Sequence, residues 1–379
     1  MALGIMIERT RRRLRRREIA RAGLALLGLA VATSGGALSP QTAAAELSPP
    51  PKTDHHMHIF SPEAARVLSD FCRSVGAIKC PPTISIKPST GQGAVEALNS
   101  AGIKSGVLLS TAYFYGSPEV ARLGVDVASG TRRENAFVVG QAQAQCGRLV
   151  AFISVDPLSP NALDELAYWR RKGGATGLKL HLENSDFNFR SPRQVRKLAA
   201  VFLAARRAGF PIIVHLQTRS RDYGATDVGI FLRDVLPFAG GIPVQIAHAA
   251  GDGGVSSQTL SALGAFADAT TTAPSAVSNL YFDLAMVPGG ELGAGKLAQA
   301  TEHLAALENL MRKIGINRFL LGSDWTYPSD LRSYYTNAKS DLGLTGEEWR
   351  VLASNQAPYL PPSAEMTGRC KDPSSHANR

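Results

Sequence analysis

The stretch PKTDHHMHIF, residues 51–60, puts three histidines and an aspartate into five consecutive positions of a chain with only eight histidines in 379 residues. If the segment is a β-strand, successive side chains point to opposite faces. Asp54, His56 and His58 then share one face, and His55 and Met57 point the other way. Two imidazoles two residues apart on a strand can close on one metal ion, with a carboxylate behind them. A chance cluster of surface histidines would spell the same letters, so the rest of the chain has to decide.

Downstream, short β-like runs alternate with helical ones. Strands are expected near 53–59, 106–110 (GVLLS), 150–155, 176–182 (TGLKLHL), 211–216 (PIIVHL), 242–248 (IPVQIAH), 280–286 (LYFDLAM) and 318–323 (RFLLGS). Amphipathic helical patterns lie between them, clearest at 161–172, 193–208, 226–236, 257–269 and 296–315. Eight strands, each followed by a helix, describe an α/β fold of the parallel (β/α)8 or TIM-barrel type rather than an open sheet. Residues 61–90, with two cysteines and the proline-containing CPPTISIKP, read as an insertion after the first strand, placed where a lid over the barrel mouth would start.

The N-terminus has a different composition. Residues 1–45 combine a basic leader, an apolar run from Ala22 and a small-residue end at Ala43-Ala44-Ala45, the layout of a cleaved signal peptide. Arg16-Arg17-Glu18-Ile19-Ala20-Arg21 resembles the twin-arginine export motif, which would make the export machinery a partner and the periplasm the destination. The leader holds eight arginines and two glutamates, so the formal net charge falls from +10 to +4 without it. No long basic run survives in the mature chain, and nucleic-acid binding is unsupported. The expected organisation is a leader (1–45), one catalytic domain (46–365) and a tail (366–379). Four cysteines in an exported chain favour disulfides over thiolate metal sites. Cys72–Cys80 is the first expected pair and Cys146–Cys370 the second, with connectivity open.

Catalytic groups of such barrels sit at the C-terminal ends of the strands. His56 and His58 are late in the first strand, His215 closes the fifth, His248 ends the sixth and Asp324 follows the eighth. The fourth strand carries Lys179 and His181 on one face and Leu178, Leu180 and Leu182 on the other. Burying a lysine or histidine without partners is costly, so an interior strand has little reason to carry them. Any one of these histidines alone reads more simply as a packed side chain, and GSD alone as a turn. Four imidazoles and a carboxylate at ends that converge on one mouth read as a metal site. That donor set suits Zn2+ first, and also Fe2+, Mn2+ or Co2+.

With these residues in order along the chain, the sequence resembles the amidohydrolase superfamily, in its amidohydrolase-related branch. The residues that carry the resemblance are Asp54-His55-His56-Met57-His58, His215, His248, Gly322-Ser323-Asp324-Trp325 and the ending VLASNQAPYL from Val351. The resemblance implies a distorted (β/α)8 barrel in which His56, His58 and His215 bind a divalent ion, with Asp324 near or on it. It implies that His248 faces the substrate and the activated water. In two-metal members a lysine on the fourth strand is carboxylated and bridges the ions. Lys179 stands at that place, so two ions are expected if it is modified and one if it is not. Otherwise Lys179 binds a substrate anion together with His181 and Arg219, or supports the ligands.

The leading functional expectation is hydrolysis of a C–N or C–O bond in a small-molecule amide, lactone or ester. The alternative is non-oxidative decarboxylation or hydration of an unsaturated or aromatic acid. A periplasmic binding protein would need an incomplete ligand set, and no expected ligand is missing. Whether the chain forms a homo-oligomer is left open.

Overall fold

A computed structural model describes residues 49–75, 86–287 and 297–361. The leader, Cys80, Cys370 and the tail from residue 362 lie outside the described residues. Eight parallel strands follow one another in sequence order: β1 (Thr53–His58), β2 (Ser105–Leu109), β3 (Leu149–Ser154), β4 (Gly177–His181), β5 (Ile212–His215), β6 (Val244–Ile246), β7 (Leu280–Asp283) and β8 (Phe319–Leu320). β8 returns to β1 through His55 N–H to the Leu321 carbonyl (2.9 Å), Asp324 N–H to the His56 carbonyl (2.7 Å) and a parallel bridge between Met57 and Trp325. The (β/α)8 barrel expected from the alternation is therefore the fold.

The helices follow their sequence signals. Ser191 caps α6 (Pro192–Ala208) by accepting from Gln194 N–H, with proline in the first turn and left-handed Gly209 (φ 70°) ending it. Thr345 and Glu348 form a reciprocal capping box at the start of α11 (Gly346–Ser354). In β4 and just after it, Leu178, Leu180 and Leu182 are fully buried in the large cluster between strands and helices. Each such burial contributes roughly 1.5–3 kcal/mol.

The segment after β1 is more regular than an irregular insertion. Pro62–Val75 forms helix α1, and Gly91–Ala101 forms a second helix, α2, before β2. Val67 and Phe71 of α1 pack with Phe114, Tyr115 and Val120 from the loop after β2, so this segment is fastened to the C-terminal end of the barrel. Cys72 and Cys146 are both disulfide-bonded.

Inside the barrel, polarity changes along the axis. The N-terminal end is apolar: Val107, Leu109, Phe152 and Ile213 pack around Tyr359 and Leu360. Gly177 leaves room for this layer, because a Cβ there would fall 2.3 Å from the Phe152 ring and 2.6 Å from the Pro211 carbonyl oxygen. The ending VLASNQAPYL is the plug itself. Asn355 donates to the carbonyls of Ile316 and Phe319, Ala357 N–H donates to His55 Nε2, and Tyr359 Oη donates to Gln245 Oε1. His55, with its Nδ1–H on the Leu321 carbonyl (3.0 Å), thus ties the C-terminal segment to the barrel.

One buried acid sits outside this axis. Glu134, on α4 (Val127–Gln143), is 1% exposed; Oε1 accepts Ser61 N–H at 3.3 Å and Oε2 has no hydrogen bond. Burial pushes its pKa up to about 7. The folded state keeps a proton that the unfolded chain releases near its ordinary value, so stability falls as pH rises through this window, by about 3 kcal/mol at most. Glu134→Gln removes this dependence. Urea unfolding should find the variant more stable than the parent at pH 8, with the gap closing at pH 5. A gap of equal size at both values would assign no titration to Glu134.

Candidate active site

Five imidazoles line the upper barrel in an unbroken series. Ring centroids lie 5.2 Å apart for His58 and His56, 4.7 Å for His56 and His248, 5.1 Å for His248 and His215, and 3.8 Å for the stacked His215 and His181. Their outer nitrogens are largely committed. His56 Nδ1 lies 3.0 Å from Asp283 Oδ2, His58 Nδ1 2.8 Å from the Leu109 carbonyl and His248 Nδ1 2.7 Å from the Ala285 carbonyl. With acceptors on all three Nδ1 atoms, the proton belongs there and Nε2 keeps its lone pair. Burial lowers the pKa of His58 to about 3 and that of His248 to about 4, so both rings are neutral at ordinary pH.

His56 Nε2 and His58 Nε2 lie 3.7 and 3.3 Å from Asp324 Oδ1. That oxygen is buried and makes no hydrogen bond. Burial alone would raise the Asp324 pKa, but the surrounding imidazoles of His56, His58 and His248 and the Lys179 ammonium outweigh it and lower it. Ligands about 2.1 Å from a tetrahedral ion stand roughly 3.4 Å from one another. Both nitrogens stand close to that distance from Asp324 Oδ1, all three atoms lie within 4.8 Å of one another, and a hydrogen-bond-free carboxylate oxygen facing two imidazole lone pairs fits a divalent cation.

His215 falls elsewhere. Its Nε2 lies 3.5 Å from Asp252 Oδ1 and 3.8 Å from Glu183 Oε2, so it groups with Glu183 and Asp252, whereas His56 groups with His58 and Asp324 and also with His248 and Asp283. Burial, reinforced by the charge of Glu183, pushes the Asp252 carboxyl up to about 8. Asp54 also leaves the expected cluster. The pairing of β1 with β2 slips between Asp54 and Met57, so strict alternation fails. Asp54 stands opposite Gly106, whose missing Cβ would meet Met57 and Leu98 on the helix side. Its carboxylate accepts His56 N–H (3.1 Å) and Ser323 N–H (3.0 Å), holding the backbone of both ligand-bearing segments.

Lys179 does point inward, 1% exposed, with Nζ 3.3 Å from His56 Nε2. Burial lowers its pKa to about 8, against the opposing charges of Asp283 and Asp324. His181 accepts Asn184 N–H on Nδ1 (3.3 Å) and lies flat on His215. Arg219 is already engaged: both terminal nitrogens contact Glu119, at 2.5 and 3.2 Å. A substrate carboxylate would have to displace Glu119. Tyr223, in the same loop as Arg219, is buried and donates to the Ala250 carbonyl.

Sequence reading missed Asp283. On β7 this fully buried carboxylate accepts from His56 Nδ1, Gln245 Nε2 (2.7 Å), His248 N–H (3.0 Å) and Ala285 N–H (3.1 Å). Burial alone would raise its pKa, but His56 and His248 hold it well below the carboxylate range. The signal was the lone acid inside the apolar run LYFDLAM.

A family model described as amidohydrolase matches residues 53–351. The chain belongs to the amidohydrolase family. The chain is similar in fold to 5-carboxyvanillate decarboxylase from Sphingomonas paucimobilis, at 14% identity and a TM-score of 0.54, over 80% of this chain and 97% of that one. It is also similar to 5-carboxyvanillate decarboxylase from Novosphingobium aromaticivorans, solved with manganese and 4-hydroxy-3-methoxy-5-nitrobenzoic acid. There the identity is 11% and the TM-score 0.53, over 82% and 95% of the two chains. A probable 2-pyrone-4,6-dicarboxylic acid hydrolase from Acinetobacter baumannii matches at 17% identity and a TM-score of 0.48, over 81% and 97%. No curated protein matches the sequence.

Asp283→Asn would leave the hydrogen-bonding shape but remove the charge that orients His56. Losing such an outer partner lowers metal affinity about 10–100-fold. Calorimetric titration of chelator-stripped protein with Zn2+ should show that loss, and unchanged affinity would give Asp283 a purely structural role.

Proposed function

We propose that the protein is a metal-dependent hydrolase that cleaves a C–N or C–O bond in a small-molecule amide, lactone or ester. The observation that carries this reading is the buried Asp324 Oδ1, without a hydrogen bond and facing the lone pairs of His56 and His58. His56, His58 and Asp324 would hold the ion, Zn2+ by preference, while His215 stands beside Glu183 and Asp252. When bound, such an ion polarises a carbonyl and acidifies water.

The chain's own groups then divide the proton work. Asp324 is kept ionised and takes a proton from the attacking water. His248 Nε2, unprotonated because Nδ1–H is spent on the Ala285 carbonyl, is the second acceptor and cannot donate to an oxyanion in that tautomer. The donor is Lys179, whose Nζ lies beside His56 Nε2 inside the barrel. His181 and Arg219 bound the substrate space from the fourth and fifth strands.

Non-oxidative decarboxylation of an unsaturated or aromatic acid is the second reading, favoured by the same lysine. A buried cation next to the ligands would also seat a substrate carboxylate. The neighbours named as 5-carboxyvanillate decarboxylases share the fold, one of them with manganese bound. Metal-loaded protein incubated with lactones, amides and aromatic acids separates the readings by product: bond hydrolysis supports the first, release of CO2 the second.

Asp324→Asn keeps an oxygen ligand but cannot accept a proton. Turnover on the identified substrate should fall about 10²–10⁴-fold with metal retained. His56→Ala should lose metal and activity together. Near-normal turnover in Asp324→Asn would transfer the proton role to His248.

The leader is proposed to send the folded, metal-loaded enzyme through the twin-arginine route to the periplasm. N-terminal sequencing of the exported protein should begin at Glu46. Retention of the leader in the cytoplasm, with and without Arg16→Lys/Arg17→Lys, would count against it.

A further inference from the structure

We propose that the face of the barrel opposite the mouth docks on an anionic phospholipid surface through Arg170, Arg171, Lys172, Arg206 and Arg207, with Phe238 entering the headgroup layer. The proposal is independent of the reaction and of the metal, because none of these residues belongs to the mouth.

The topology brings the cations together. Helix α5 (Ala162–Lys172) leads into β4 and α6 leads into β5, and the two strands pair side by side, with Leu178 opposite Ile212. The last residues of both helices therefore stand at the N-terminal end of the barrel, at equivalent places in neighbouring units. All five side chains are exposed, and none has an ion pair among the described residues. The entries of β2 and β3 add Lys104 and Arg148. Residues 98–104, 143–148, 170–176 and 206–211, which make these four entries, hold seven lysines or arginines and no aspartate or glutamate.

Cations in the last turn of a helix are ordinary, since they complement its dipole. That accounts for the positive residues but not for the missing acids. The other half of the same face is the control. There Arg233, at the end of α7 (Ala225–Asp234), pairs with Asp234 at 2.6 Å. At the end of α9 (Leu297–Ile314), Arg312 pairs with Glu348 at 2.6 Å and Lys313 with Asp268 at 2.7 Å. The place in the fold is the same, and there the charge is balanced. Without the leader the chain carries a formal +4, less than the seven charges of this patch, so the remainder is net acidic. An anionic surface attracts this face and repels the rest, which leaves the mouth pointing to solvent.

Phe238 favours a lipid surface over a soluble polyanion. It lies in the turn Leu236–Ala239 between α7 and β6, hence on the same face, and is 42% exposed. Arg206 reaches the same turn: a Cβ at Gly240 would fall 2.4 Å from its guanidinium carbon. An exposed aromatic ring beside arginines suits a headgroup boundary, where the ring leaves water while the cations meet phosphates.

The test is co-sedimentation with vesicles of the chain from Glu46, which contains every described element of the barrel. The leader is left out because its eight arginines would bind the same vesicles. The parent should bind phosphatidylcholine vesicles that contain phosphatidylglycerol and ignore pure phosphatidylcholine. It should be released at about 1 M salt, where charges are screened within roughly 3 Å. Arg170→Gln/Arg171→Gln/Arg206→Gln/Arg207→Gln should bind at least about 100-fold more weakly, since each basic residue near such a surface contributes about five-fold. Phe238→Ser should bind vesicles about tenfold more weakly, with no change on the soluble polyanion heparin. The substituted side chains are exposed, so thermal unfolding of both variants should match the parent. No binding of the parent to the anionic vesicles at low salt, or equal binding by the arginine variant, would overturn the proposal. Binding to heparin without binding to vesicles would overturn it in favour of a soluble polyanion. Unchanged vesicle binding in Phe238→Ser would overturn the lipid assignment.

Discussion

The Asp283 carboxylate is the constraint on which the mouth depends. It takes four hydrogen bonds, from the His56 ring, the Gln245 amide and the backbone N–H groups of His248 and Ala285. These join β1, β6 and β7 across the barrel interior. Each bond to a charged group contributes about 1.5–3 kcal/mol when both partners are buried. Remove the charge and His56 loses the partner that fixes its tautomer, while His248 loses the anchor of its backbone. Gln245 extends the constraint downward, because Tyr359 donates to its carbonyl oxygen. The ligands at the top are thereby connected to the plug at the bottom.

Burying five imidazoles and a lysine in one barrel works only because most of them are neutral. Desolvation lowers the pKa of His58, His181, His215 and His248, and their mutual charges lower them further. Neutral rings can lie 4 to 5 Å apart, and each neutral ring with Nδ1 protonated offers a lone pair on Nε2. The same burial that would be a stability burden for charged histidines produces a wall of metal donors. The carboxylates take the opposite course. Asp283 and Asp324 remain ionised because neighbouring positive or donor groups outweigh desolvation, whereas Asp252, facing Glu183, does not.

The barrel was legible because its strands are short apolar runs at regular spacing, and all eight appear close to the expected residues. Lys179 and His181 on the inner face of β4 were legible for the same reason: that strand keeps strict alternation from Leu178 to Leu182. Asp54 was misplaced because alternation assumes unbroken register, and the slip in β1 cannot be seen in DHHMH. Asp283 was hidden because one acid at a strand end has no spacing partner in sequence. Glu183 and Asp252 lie in turns, where acids are ordinary. Only the fold brings them to His215, from which they are 32 and 37 residues distant along the chain. The metal-like spacing of His56 and His58 was local, while the grouping of His215 was not.

The shortest strands show how the barrel trades regular pairing for ligand direction. β6 has three residues and β8 two. Beyond them His248, Ala249 and Ala250 take left-handed φ values of 53°, 50° and 69°, and Asp324 takes 65°. None is glycine, and such conformations cost about 1–3 kcal/mol each. The left-handed turn after β6 ends that ladder beside the His248 ring, while Asp324 keeps its backbone bond to His56 and sets its carboxylate against the His56 and His58 rings. The strain is held by specific bonds rather than by packing: Asp283 holds His248 N–H, and the His56 carbonyl holds Asp324 N–H. His56 thus stands at both ends of the device, its ring oriented by Asp283 and its backbone orienting Asp324. The histidine of β1 and the aspartate after β8 come together because barrel closure makes them backbone neighbours.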